Sequence, residues 1–253
     1  MLLDSPRVSC LFVHGWAMNS TVWQPVLDKL PEWIDAELID LPGHGQRANE
    51  SFTDLQSLTI DLQRQCESVK KAGQPLVLVG WSLGGLPCLQ LAINQSEEVD
   101  GLILISCNPC FVSRDNWRCG IEGEIFDAFS QSLKEDFSGT IRRFLSLQVK
   151  GSDSGRVILR NLREKILQQP QPNEASLDAG LDILKQTDLR DQLEKISQPL
   201  SWVLGEQDGL VKVKLEEALT QVSVFKKAGH APFLSHVDDF VKHLEGQLSC
   251  FLA

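Results

Sequence analysis

The sequence predicts an α/β protein: a mostly parallel central sheet covered by helices on both faces, interrupted by a helical insertion. Three observations carry that expectation. Short apolar runs recur between segments of helical period, the alternation that builds a sheet buried on both faces. One run, Val77-Leu78-Val79, leads directly into Gly80-Trp81-Ser82-Leu83-Gly84 and then into helical spacing at Leu86, Leu89 and Ile93. From about residue 111 to 190 the strand-like runs stop, and only segments of helical period remain.

Residues 7–13 form the first expected strand, running into His14-Gly15-Trp16. Asn19 and Ser20 can cap a helix through about Leu30, with Trp23, Val26, Leu27 and Leu30 on its apolar face. A second strand over 36–39 ends in the turn Asp40-Leu41-Pro42-Gly43-His44-Gly45, and residues 54–71 read as a helix stopped by Gly73. The third strand, 76–79, carries the G-W-S-L-G turn, and 99–105 is a fourth.

In the insertion, four apolar faces predict four short helices. They are Ile121, Ile125, Phe126 and Phe129; then Ile141, Phe144, Leu145 and Gln148; then Val157, Leu162 and Ile166; then Leu177, Leu181 and Leu184, with Leu189 beyond. The stretches 151–155 and 170–172 separate them. Alternation resumes with a strand at 200–204, a helix over 211–219, a strand at 222–225 and an amphipathic helix over 237–251. This divides the chain into a core of residues 1–110 and 191–253 and a helical lid of residues 111–190. Ligand chemistry is then expected at the C-terminal ends of the strands.

A chain of 253 residues with 42% hydrophobic and 23% charged residues is expected to be an ordinary soluble protein. No apolar run approaches the roughly 18 residues of a membrane span, and residues 1–6 are too short and polar for a signal peptide. A net charge of -10 argues against nucleic-acid or anionic-membrane partners. Seven cysteines, an odd number, fit reduced thiols and a cytoplasmic location. Cys107 and Cys110 spell C-x-x-C, but no helix opens there, and zinc would need a second ligand pair that the sequence lacks. A monomer is expected.

Strand, G-x-S-x-G, helix is the setting of a nucleophile elbow. The chain reverses so sharply at the serine that Gly80 and Gly84 are needed beside it. Such a serine needs a base, and the base an orienting acid, following in the order Asp or Glu, then His. His14 and His44 come too early and suit loop fixing, while His236 and His243 fall at or in the last helix, where exposure is the default. His230 follows the last strand and is the expected base. Asp208 is the expected acid, with Glu206 second and Asp40 weaker. The backbone N–H groups of Leu83 and Trp16 are the expected oxyanion donors.

With the elbow, the H-G-W loop, G-E-Q-D-G and the G-H-A-P turn in place, the chain resembles the α/β-hydrolases along its whole length. More closely it resembles the pimeloyl-[acyl-carrier protein] methyl ester esterases of biotin synthesis. Pro109-Cys110-Phe111 with Arg114, Asp115 and Trp117, Phe144 to Gln148, Gly180 to Lys185 and Asp188-Leu189-Arg190 carry that likeness. The resemblance implies a catalytic Ser82, Asp208 and His230, and substrate contacts from Trp16, Leu83, Phe144, Leu145, Ser146, Leu147 and Gln148. It implies no cofactor, and acyl carrier protein as the partner that presents the ester. Relatives carry a further strand or hairpin before the H-G-W strand, so one or two edge strands are expected to be missing here.

Residues 140–165 hold seven basic side chains against two acidic ones, a local charge of +5. Arg156, Arg160 and Arg163 share one helical face, a stripe suited to an acidic carrier, and Arg143 joins them as a docking candidate. Competing readings are a general short-chain carboxylesterase or carbon–carbon bond hydrolase on the same scaffold, and a catalytically silent ligand-binding protein.

Overall fold

The computed structural model describes residues 6–149 and 155–252. Most of the segment weighed as a signal peptide and most of the glycine-serine stretch at 151–155 lie outside the described residues. Within them, six strands form one all-parallel sheet in the order β2-β1-β3-β4-β5-β6. They are β1 (Val8–Val13), β2 (Ile34–Ile39), β3 (Leu76–Trp81), β4 (Gly101–Ile105), β5 (Leu200–Gly205) and β6 (Val222–Phe225). β1, β3 and β4 are buried throughout, as strands covered on both faces must be. β2 takes one edge, and the chain reverses its direction of travel between β1 and β3. Val13 pairs with Gly80 at that switch point, where a crevice opens beyond the strand ends.

Helices alternate with the sheet in its first half and close the chain after it. α1 (Gln24–Leu27) follows β1, α2 (Leu55–Val69) follows β2 and α3 (Gly85–Ile93) follows the elbow. Between β4 and β5 the chain builds α4 (Gly123–Glu135), α5 (Phe137–Leu147), α6 (Gly155–Leu167) and α7 (Glu174–Gln186). α8 (Pro232–Ser235) and α9 (Val237–Leu248) follow β6. α2 packs on α3, whereas α1 packs on α9, so the two pairs cover opposite faces. α2 begins where its sequence says: the Asp54 carboxylate accepts from the Ser57 N–H at 2.7 Å, and the Ser57 hydroxyl reaches back to the Asp54 N–H.

Two expected helices differ. The one expected through Leu30 is a 3-10 turn, Ser20–Trp23, followed by the single turn of α1. Lys29 and Leu30 bond three residues back, because Pro31 stops the helix and holds the residue before it out of helical geometry. The expected helix over 211–219 is a 3-10 segment, Val213–Glu217. The Leu210 and Val211 N–H groups that would lead into it both point at Asp208 Oδ1. The closing helix ends at Leu248 and tightens to 3-10 over Ser249–Leu252.

In the insertion, Ile121 lies just before α4, in an isolated bridge to Val112, rather than on its face. Val157, expected on the apolar face of α6, is 53% exposed, while Leu162 and Ile166 of that helix are buried. Among the described residues no helix is long and apolar enough to cross a membrane.

Candidate active site

Ser82 sits at the end of β3 with φ +53°, the strained left-handed backbone that an elbow imposes on its nucleophile. A β-carbon on Gly80 would lie 2.8 Å from Gly85 Cα, and one on Gly84 only 2.4 Å from the His14 carbonyl oxygen. Both contacts are with backbone, so neither position has room for a side chain. Gly15 belongs to the same packing: its β-carbon would stand 3.2 Å from Ser82 Cβ. The loop after β1 therefore lies directly against the serine, which puts Trp16 beside Leu83 around the elbow.

His14 holds that loop. Its Nε2 accepts the Leu41 N–H at 3.0 Å, which leaves the proton on Nδ1 to be donated to the Gly15 carbonyl at 2.8 Å. Burial pushes its pKa down, so the ring is neutral. Asp40 is used in the same way, accepting from the backbone of Ser20 and Gln46, and is not part of a triad.

The structure brings Asp208 and His230 together across the ends of β5 and β6. His230 Nδ1 lies 2.8 Å from Asp208 Oδ2, and both side chains are buried. The other carboxylate oxygen accepts from Leu210 N and Val211 N at 2.7 and 3.0 Å, fixing the acid before it meets the imidazole. Glu206 is exposed and accepts from Lys227 N, away from the histidine. His230 Nε2 is buried and has no partner among the described residues. The Trp81 indole donates to the His230 carbonyl at 2.8 Å, tying that histidine to the residue before the serine. The sheet thus carries at its C-terminal ends a serine on a strained turn and a histidine with one bonded and one open nitrogen, the groups that deprotonation of a serine in attack on an acyl carbon requires. His236 is only half-buried, with Nδ1 2.8 Å from the Ser235 hydroxyl. His243, expected to be exposed, is also half-buried, with its ring edge-on to Phe225 and its pKa lowered by burial.

Above Ser82 lies an apolar pocket. Trp16, Phe144 and Leu147 line it. Trp16 is clamped there by its indole N–H on the Leu177 carbonyl at 2.8 Å and by edge contacts to Phe129 and Phe144. Leu83 is fully buried beneath. Leu145, Ser146 and Gln148 do not line the pocket. One helical turn separates Phe144 from Leu147 and points the residues between them elsewhere. Leu145 enters the core, Ser146 is exposed and bonds back to Arg142, and Gln148 is buried with its amide on the Phe144 carbonyl. The Gln148 backbone oxygen accepts from Ala231 N at 3.0 Å, joining the end of α5 to the residue after His230.

The rest of the lining is legible in the sequence only as helix faces, with Ile121, Ile125, Phe126 and Phe129 from one expected helix and Leu181 and Leu184 from another. Phe111 and Leu210 also line the pocket, and sequence reasoning missed both there. The signal available was an excess of apolar surface, since Ile125 remains 59% exposed at the pocket. On the outside, Arg156 and Arg160 of α6 are exposed. Arg163 turns away from them, half-buried, and reaches the Arg142 carbonyl on α5 at 3.4 Å. Arg143 is exposed and lies 3.7 Å from Asp136. Lys150 lies outside the described residues.

Cys107 and Cys110 are free and buried, and burial pushes the Cys107 thiol far above the ordinary range. Among the described residues no cluster of metal-ligating side chains occurs.

Comparison with known proteins agrees with this architecture. Residues 10–243 match the model of the Alpha/beta hydrolase family. A pimeloyl-[acyl-carrier protein] methyl ester esterase of Pseudoalteromonas atlantica is 39% identical over 91% of this chain and 90% of its own. Its counterpart in Pectobacterium carotovorum is 37% identical over 92% and 91%. A bromoperoxidase structure from Bacillus anthracis superposes with a TM-score of 0.85 at 18% identity, covering 97% of this chain and 93% of that one, which is a likeness of fold. The elbow, the sheet order and the agreement along nine-tenths of the sequence lead to one assignment: the chain belongs to the α/β-hydrolase family and, within it, to the family of the pimeloyl-[acyl-carrier protein] methyl ester esterases.

Proposed function

We propose that this protein is a serine carboxylesterase that hydrolyses the methyl ester of a pimeloyl chain carried on acyl carrier protein, releasing methanol. The observation that carries the reading is the buried Asp208–His230 pair, its Nε2 without a partner among the described residues, together with an elbow serine that lines an apolar pocket. The names of the relatives supply the substrate.

Ser82 Oγ attacks the ester carbonyl carbon as His230 Nε2 takes its proton, while Asp208 keeps the imidazole in the required tautomer. The N–H groups of Leu83 and Trp16 receive the oxyanion, each such donor being worth about 2.7–4 kcal/mol of barrier. Collapse breaks the bond to the methoxy oxygen, and His230 returns the proton so that methanol leaves. Water then attacks the acyl-Ser82 ester by the same route and frees the carboxylate. This sequence needs no cofactor. The acyl chain lies between Trp16, Phe144 and Leu147, under residues 111–190 acting as a lid on a core of 1–110 and 191–253. Arg143, Arg156 and Arg160 meet the acidic carrier, and the enzyme works as a cytoplasmic monomer. Its charge of -10 disfavours nucleic acid and anionic membranes as partners.

The test is methanol release from methyl pimeloyl-acyl carrier protein. The wild type is expected to release one methanol per ester, and Ser82→Ala or His230→Ala to lower kcat by about 10⁴-fold or more. Turnover unchanged in those variants would sink the triad. A wild type that cleaves p-nitrophenyl acetate but not the carrier-borne ester would be a general carboxylesterase.

A further inference from the structure

The helical insertion leaves the sheet after β4 and returns before β5, and its two crossings run side by side. The outgoing crossing folds into a narrow ribbon. Ile121 N donates to the Phe111 carbonyl at 2.7 Å, Ser113 N to Ile121 at 2.8 Å, and Arg114 and Trp117 exchange backbone bonds at the tip. The returning crossing, just after α7, grips that tip. Leu189 N donates to the Pro109 carbonyl at 2.9 Å. The Arg190 guanidinium lies 5.1 Å over the Trp117 ring and donates to Asn116 Oδ1 at 3.0 Å. Asp188 takes two bonds from the Arg190 guanidinium, at 2.8 and 2.7 Å, and sits 3.3 Å from Arg114 Nε. The Trp117 indole, in turn, donates to the Cys110 carbonyl at 2.7 Å.

The two segments that this cluster joins both line the pocket. The ribbon contributes Phe111 and Ile121, and α7, which runs into Asp188, contributes Leu181 and Leu184. Packed side chains transmit a displacement rather than absorb it, so the separation of the crossings fixes the width of the slot they line. The cluster is well suited to holding that separation. The Arg190 fork is planar, bidentate to Asp188 and stacked on an aromatic face, a geometry lysine cannot reproduce. We propose that Arg190, with Asp188 and Trp117, is a specificity-determining clamp that sets the width of the acyl slot and thereby the preference for a narrow, linear acyl chain. The proposal rests on the esterase reading above, with Arg190 as a positioning residue and not a catalytic one.

The experiment measures kcat and KM for a series of p-nitrophenyl esters, linear from acetyl to octanoyl and branched at the same carbon counts. Wild type, Arg190→Ala and Arg190→Lys are compared. A wild type that turns over no ester would defeat the esterase reading itself; the comparison between variants tests the clamp alone. In Arg190→Ala the KM for the hexanoyl ester is expected to rise about tenfold, the scale of one misfitted methylene. kcat for the acetyl ester should stay within about twofold, and the linear-over-branched preference should fall. Arg190→Lys, which keeps the charge over Trp117, should recover part of that preference. Should Arg190→Ala not fold, Arg190→Lys decides, with an expected loss of preference of about threefold. An unchanged linear-over-branched ratio, or a fall in kcat equal for every ester, overturns the clamp.

Discussion

His14 and His44 lie 5.3 Å apart, ring centre to ring centre, beneath the loops that follow β1 and β2. His14 has both nitrogens bonded, whereas His44 donates from Nδ1 to the Pro42 carbonyl and leaves a buried Nε2 without a partner among the described residues. Burial, aided by the neighbouring His14, pushes the His44 pKa down to about 3, and burial lowers that of His14 as well. In the unfolded chain both titrate near the ordinary value of about 6.5. The unfolded state therefore takes up protons first on acidification. Stability is complete above about pH 6.5 and is lost as pH falls from there towards the folded values, at up to about 1.4 kcal/mol per pH unit for each ring. Urea midpoints between pH 6.5 and 5, above the carboxylate range, should show that slope, with half-buried His243 adding to it. His44→Phe should reduce the slope by about the share of one ring; an unaltered slope would mean that His44 is not buried as a neutral group. Sequence reading could reach the loop-fixing role of these histidines, because both stand in glycine-flanked turns ahead of the serine. It could not reach their protonation, which depends on bonds from Leu41 and to Pro42. The same limit applies to Asp208 and Glu206. Chain order put both near His230 with Asp208 ranked first, and in the structure burial and the bond to His230 separate Asp208 from the exposed Glu206.

Elements with explicit boundary chemistry were legible, and those limited by their neighbours were not. α2 carries its capping residues at the spacing a helix start requires, and its first turn follows from them. α1 and the 3-10 segment after β5 have helical spacing too, yet Pro31 curtails one and Asp208 draws off the leading N–H groups of the other. α7 shows what a cap can do beyond its own helix. The Asn173 side-chain oxygen accepts from Ser176 N at 2.8 Å, while its amide donates to the Ala48 and Glu50 carbonyls in the loop after β2. α7 holds Trp16 through the Leu177 carbonyl and lines the pocket with Leu181 and Leu184. Losing the cap costs about 1 kcal/mol, and each lost amide bond about 0.5–1.5 kcal/mol more. Asn173→Ala should therefore lower stability in urea by about 2–4 kcal/mol and raise KM more than it lowers kcat. Asn173→Asp keeps the cap acceptor and loses only the two donors, so it should fall between; equal losses in the two variants would assign the whole effect to the loop contacts.

At the scale of the whole molecule, the alternation of apolar runs with helical periods was enough for the sheet, because parallel strands buried on both faces have few other sequence patterns. How the insertion sits over the elbow was not legible, since that depends on contacts such as Asn173 with Ala48 and Arg190 with Trp117, distant in sequence. Charge is different: it acts over the whole surface and can be read from residue types. The chain carries -10 in all, yet residues 140–165 carry +5, so the remainder carries -15. An acidic carrier meets net negative charge over the remainder of the chain, and on the reading proposed above it docks at the face with the exposed Arg156 and Arg160. Such steering acts on encounter rate and weakens as the Debye length shrinks from about 10 Å at 0.1 M salt to about 3 Å at 1 M. For carrier-borne methyl pimelate, kcat/KM should thus fall with added salt, whereas for a free methyl ester it should not. Arg156→Glu with Arg160→Glu should raise KM for the carrier-borne ester about tenfold at low salt, abolish most of its salt dependence and leave the free ester unaffected. Equal effects on both substrates would place the change in the pocket and remove the docking face, because a screened surface charge has no other route to a neutral small molecule.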